Sequence, residues 1–265
     1  MHRLLLAALL LPTPALAQPA TAPADDKAFM APPPGMVDAP CPVVPAEPDP
    51  AWWKALGAYN RNNDWPWLCR YVQDNAALKA RPTVVFMGDS ITEGWLVRDP
   101  AMFTPGRIDR GISGQTTPQM LLRFWQDVIA LKPKVVHIMA GTNDLAGNTG
   151  PNSPEGYRNN MRAMVDLARA NRIAVILGSI PPAARFGWQP AVEPLRRIAE
   201  LNVWLKAYAA ERHLVYADYH AVLATPEGAM KPELSPDGVH PNAAGYKLMR
   251  PIAEAALKAA LKTAR

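Results

Sequence analysis

The sequence predicts an α/β fold, a doubly wound three-layer α/β/α sandwich around a parallel sheet. Three observations carry that expectation. Residues 83–87, 135–139, 174–177 and 214–217 are short, continuous, β-prone apolar runs, as strands buried on both faces require. The stretches between them, 118–131, 154–171 and 192–213, place apolar residues at helical spacing, and a last such stretch covers 242–261. Glycines and polar residues follow the runs directly, as Gly88-Asp89-Ser90, Gly141-Thr142-Asn143-Asp144 and Ser179-Ile180-Pro181-Pro182. In an open parallel sheet these segments lie beyond the C-terminal strand ends, where ligands bind.

Taken in order, the chain opens with the pattern of an export signal over residues 1–17. Arg3 supplies positive charge, Leu4 to Leu11 is apolar, and Ala15-Leu16-Ala17 places small residues at the cleavage positions. An eight-residue apolar run is too short to span a bilayer, and no later stretch approaches that length. The expected location is therefore periplasmic or secreted, with no transmembrane segment. Residues 18–50 contain ten prolines and no periodic apolar pattern, which describes an extended linker. Residues 51–82 form an N-terminal extension rich in tryptophan (Trp52, Trp53, Trp65, Trp67), expected to pack its aromatics against the body that begins at residue 83 and runs to 265.

Cys41 and Cys69 are the two cysteines, and in an oxidising compartment such a pair predicts a disulfide. Closing that loop would contribute about 3–4 kcal/mol on the chain-entropy model and pin the extension. The formal net charge of +5 does not mark a nucleic-acid partner, because Lys and Arg are scattered and never run to five in a row.

The candidate chemistry lies in the loops after the strands. Ser90, in Gly88-Asp89-Ser90-Ile91-Thr92-Glu93-Gly94, sits at a strand-turn-helix transition where backbone N–H groups face a developing oxyanion. Taken alone it reads equally as a helix N-cap. Asp237 and His240 share the turn Asp237-Gly238-Val239-His240-Pro241, so the carboxylate can accept from one imidazole nitrogen while the other faces the cleft. His213 and His220 lack such a partner at i−3, and His137 interrupts an apolar strand as a core histidine would. Asn143 and Gly114 are candidate oxyanion donors, or else a turn residue and a loop glycine. Arg185, Phe186 and Trp188 follow a strand and are candidate walls of a substrate cleft.

Together these segments resemble the SGNH (GDSL-type) hydrolases, an esterase and acylhydrolase superfamily with a flavodoxin-like α/β/α fold. GDSITEG, GISGQTT, GTND and DGVHPN stand in that family's order between residues 83 and 262. The resemblance implies a catalytic set of Ser90, Asp237 and His240, and an oxyanion hole from Ser90, Gly114 and Asn143. It implies ester hydrolysis through an acyl-enzyme, with no metal and no cofactor. The sequence also holds no HExxH, no cysteine cluster and no carboxylates at EF-hand spacing. One departure is Arg110, where the family often has Asn, which leaves the bonding of the GISGQTT loop open.

The expected substrate is a small-molecule or carbohydrate ester, with short acetyl groups favoured because no long apolar lid segment is present. Lysophospholipase, arylesterase or thioesterase activity is the alternative, and a non-catalytic carbohydrate-binding module on the same fold is a third reading.

Overall fold

The computed structural model describes Phe29, Gly35, Met36 and residues 40–264. The expected export signal and much of the proline-rich segment lie outside those residues. The chain divides into two compact units, residues 1–59 and 60–265. In the first, helix α1 (Pro50–Asn63) begins as Asp49 Oδ1 accepts the Trp52 N–H at 2.7 Å, and the Phe29 ring lies 5.6 Å from that of Trp52. Cys41 and Cys69 are both disulfide-bonded.

The second unit holds α2 (Val72–Ala77), then a five-stranded parallel sheet: β1 (Val84–Gly88), β2 (Arg107–Gly111), β3 (Val135–Met139), β4 (Ala174–Gly178) and β5 (Val215–Ala217). Its order is β2-β1-β3-β4-β5. Between them run α3 (Ser90–Arg98), α4 (Thr117–Phe124), α5 (Thr142–Ala146), α6 (Pro154–Ala170) and α7 (Pro194–Glu211), and after β5 come α8 (His220–Leu223) and α9 (Ala243–Thr263). This is the doubly wound architecture that the sequence predicts.

Side chains alternate along the strands, and the central strands β1 and β3 are buried on both faces throughout. Val85, Met87, Val136 and Ile138 pack with Met120, Phe124, Met161, Met164 and Leu205 of α4, α6 and α7. Val84, Phe86, Val135 and Met139 pack with Ile91, Trp95, Tyr246 and Met249 of α3 and α9. His137 belongs to this second layer. Its Nε2 lies 2.8 Å from the Tyr219 hydroxyl, and burial pushes its pKa down to about 3, so it stands neutral in the core. Among the described residues, no helix is long and apolar enough to cross a membrane.

Two elements differ from the sequence expectation. Strand β2 is absent from it because Arg107-Ile108-Asp109-Arg110-Gly111 is mostly charged, and as an edge strand β2 needs no continuous apolar run. The helix expected over 118–131 instead stops as α-helix at Phe124 and continues as a π-helical turn over Trp125–Ile129.

Close packing at the ends of β1 and β2 depends on glycine. A Cβ on Gly111 would stand 2.2 Å from the Glu93 backbone nitrogen and 2.8 Å from the Asp89 carbonyl oxygen. Backbone cannot yield as a side chain can, so Gly111→Ala is expected to destabilise the fold by about 2–3 kcal/mol. A urea titration would read this as a lower midpoint at unchanged slope.

Candidate active site

The order of the sheet reverses at β1 and β3: the chain passes from β1 outward to β2, then returns to β3 on the other side. A crevice at such a switch point receives the loops that follow both strands. Ser90 leaves β1 and Asn143 leaves β3, so the topology brings the GDS and GTND segments side by side.

Ser90 is the first residue of α3, yet it is not the helix cap. Asp89 takes that role, its Oδ1 accepting the Ile91 N–H at 2.9 Å. The Ser90 hydroxyl is thereby left to point elsewhere, and its Oγ lies 2.9 Å from His240 Nε2. His240 Nδ1 in turn lies 2.7 Å from Asp237 Oδ2. Gly238, at φ +76°, makes the tight turn between the two, a left-handed conformation that glycine adopts freely. Asn242 then caps α9, accepting from Ala244 and Gly245 at 2.9 and 3.1 Å, which anchors the His240 turn to a long helix.

The electrostatics fix the protons. Burial acts to raise the Asp237 pKa, but the His240 N–H, the imidazole and the Val239 N–H outweigh it and hold the carboxyl at about 2. Its Oδ1 accepts from the Val239 and His240 backbone N–H groups at 2.9 and 2.8 Å. An ionised carboxylate only accepts, so Nδ1 carries the imidazole proton and the Nε2 lone pair faces the serine hydroxyl.

Asn143 and Gly114 lie in the same crevice. Asn143 is buried, and its Nδ2 donates to the Gln115 carbonyl at 3.0 Å and to Asp89 Oδ2 at 3.3 Å. Gly114 is in the left-handed region at φ +79°. Asp89 and Asp144 hold loops. Burial pushes the Asp89 pKa up to about 6, and Asp144 accepts from Thr117 N at 3.0 Å and Asn152 Nδ2 at 2.6 Å. Asp144 thus joins the GTND turn to the start of α4.

The three candidate wall residues part company. Trp188 is exposed, and its ring centroid lies 6.1 Å from that of His240. Phe186 does not line a cleft: it is fully buried and stacks behind Trp188 at 5.2 Å, so its apolar ring supports the wall from the core. Arg185 is exposed.

Sequence reasoning missed a buried polar network below the GISGQTT loop. Arg123 and Asp127 form an ion pair at 3.1 Å with both side chains fully buried. Arg123 also donates to the Gly88 carbonyl at 3.0 Å and to Gln115 Oε1. Extra bonds of this kind are what offset the desolvation of a buried pair. Gln115 Nε2 donates onward to the Pro66 carbonyl at 2.7 Å.

Arg110, the departure from the family pattern, is satisfied too. Its Nε donates to Asn75 Oδ1 at 2.8 Å, and its guanidinium lies 4.6 Å from the Tyr71 ring centre. Within the second unit, the extension is therefore held largely by polar bonds, while Trp65 stays partly exposed.

Known proteins resemble this chain in sequence and in fold. The sequence pattern of the GDSL-like Lipase/Acylhydrolase family matches residues 86–248. A solved structure described as an acylhydrolase, from Bacteroides fragilis, is 44% identical and covers 75% of this chain and 99% of its own, with a TM-score of 0.73. A GDSL-like lipase from Bacteroides thetaiotaomicron is 42% identical over 74% of this chain and 99% of its own, with a TM-score of 0.71. More distantly, the acetyl xylan esterase AlAXEase shares the fold at 21% identity and a TM-score of 0.53, covering 65% of this chain and 98% of its own. Among curated sequences, the lipoprotein YqeF of Bacillus subtilis is 36% identical over 117 residues, 37% of this chain, and the match spans 48% of that protein's length. The chain belongs to the GDSL-like lipase/acylhydrolase family.

Proposed function

We propose that the protein is an exported serine esterase that removes short acyl groups, acetyl above all, from carbohydrates. The observation that carries this reading is the unbroken chain Ser90 Oγ, His240 Nε2, His240 Nδ1, Asp237 Oδ2, at 2.9 Å and 2.7 Å. In the first step Ser90 Oγ attacks the ester carbonyl as its proton passes to His240 Nε2, and the carbonyl π electrons move onto oxygen. The N–H groups of Ser90 and Gly114 and the Asn143 amide receive that oxyanion. At Asn143 it replaces the longer contact, the 3.3 Å bond to Asp89. Collapse of the intermediate expels the alcohol, which takes the proton from His240. Water, deprotonated by the same imidazole, then releases the acid and restores Ser90.

The sugar reading draws on Trp188. A flat, exposed indole beside His240, backed by Phe186, suits the apolar face of a pyranose. One protein of this fold is named for acetyl xylan. Export draws on the leader pattern, on two disulfide-bonded cysteines and on the lipoprotein relative.

The test is hydrolysis of p-nitrophenyl esters from acetyl to dodecanoyl, with Ser90→Ala as background. A rate that falls steeply beyond about four carbons is expected. A maximum at eight or more carbons would replace this reading with a lipid or thioester acylhydrolase, and no serine-dependent rate would leave a carbohydrate-binding module.

A further inference from the structure

Asn148, which no motif singles out, stands between the cleft wall and the candidate oxyanion hole. Its Oδ1 accepts the Trp188 indole N–H at 2.9 Å. Its Nδ2 donates to Asn143 Oδ1 at 2.7 Å and lies 3.5 Å from the Gly114 carbonyl oxygen. The backbone N–H of Asn148 also bonds the Asn143 carbonyl at 3.1 Å, so the two residues keep a fixed spacing.

The direction of these bonds is set from both ends: the Trp188 indole only donates, and the Gln115 and Gly114 carbonyls only accept. A carboxamide can turn end for end, exchanging donor and acceptor, and nothing in its own shape prevents it. An indole nitrogen only donates. Trp188 therefore requires oxygen from Asn148 on its side, which turns the Asn148 NH2 toward Asn143. That NH2 requires oxygen from Asn143, which turns the Asn143 NH2 toward Gln115 O and Asp89, the side proposed to receive the oxyanion.

We infer that Asn148 is a positioning residue that couples the donor-only Trp188 indole to the Asn143 amide and, together with the Gln115 carbonyl, braces the polarity of the oxyanion hole, so that the residue walling the cleft also steadies the donor inside it. The inference rests on the serine-esterase reading and deepens it. Trp188 then has two separable parts: its ring face offers a surface to substrate, and its N–H steadies a catalytic donor.

The test uses p-nitrophenyl acetate, a substrate too small to depend on a sugar platform, and the full chain carrying Asn148→Leu, Trp188→Phe, Asn143→Ala and the corresponding double variants. Asn148→Leu is expected to lower kcat by about 10-fold, short of the loss of one oxyanion donor because the Gln115 carbonyl still holds the Asn143 NH2, with KM changed less than about two-fold. Trp188→Phe keeps a ring but loses the N–H, and is expected to lower kcat by about five-fold, the worth of one hydrogen bond. In the Asn143→Ala background neither change should lower kcat further, because no amide remains to orient. That non-additivity separates coupling through Asn148 from general loosening of the loop.

Full additivity with Asn143→Ala, or a Trp188→Phe effect confined to KM, overturns the coupling while the esterase reading stands. An Asn143→Ala variant with undiminished kcat removes the oxyanion assignment, and turnover that persists in Ser90→Ala removes the serine mechanism, and the coupling falls with either. Should Asn148→Leu fail to fold, Trp188→Phe and its double variant still decide the matter.

Discussion

Ser90→Ala is expected to lower kcat for p-nitrophenyl acetate by about 10⁵- to 10⁶-fold while the urea midpoint stays within error of the parent. The size follows from role, since without Oγ there is no acyl-enzyme, and the remaining oxyanion donors assist only the attack of water. Unchanged stability follows from the helix start. Asp89, not Ser90, caps α3, and the Ser90 hydroxyl is bonded to His240 at the half-exposed mouth of the crevice. Removing it leaves the His240 nitrogen open to water, so no desolvated polar group is stranded. Activity retained in protein free of contaminating esterase would remove the serine mechanism.

Asp237→Asn is expected to cost about 10⁴-fold in kcat with KM little changed. Oδ1 of Asp237 already accepts two backbone N–H groups, from Val239 and His240. An asparagine there must keep its oxygen on those donors, which places its NH2 against His240 Nδ1. That nitrogen then has to accept, the imidazole proton moves to Nε2, and a base becomes a donor facing Ser90. The wrong tautomer, not a missing charge alone, is what abolishes the rate. Because the Asp237 carboxyl titrates at about 2, the parent's pH–rate profile should show no limb from it above about pH 4. An unchanged rate in Asp237→Asn would mean that another group orients His240.

The parts of this molecule that obey a local rule can be read from sequence. Strands β1, β3 and β4 are, for most of their length, buried on both faces, and burial writes itself as a continuous apolar run. Strand β2 escapes because an edge strand is free to carry Arg107, Asp109 and Arg110. Ser90, Asp237 and His240 were legible because a turn or a helix start fixes their neighbours within a few residues. Arg123, Gln115 and Asn148 were not. Each acts on partners distant in sequence, and a polar residue on a helix or loop has no pattern that tells a buried hub from a solvated surface. Phe186 failed in the opposite sense: its loop position suggested a cleft wall, but only packing decides which of two nearby aromatics faces water.

The way the body grips residues 65–68 also bears on how this chain can vary. Gln119 donates to the Trp65 carbonyl at 2.7 Å, Gln115 to that of Pro66, and Gln126 to that of Leu68. Three glutamines thus read the course of the polypeptide and ignore the identity of its side chains. Side chains can be exchanged along such a stretch while its path stays constant, because the grip is on carbonyl oxygens that every residue carries.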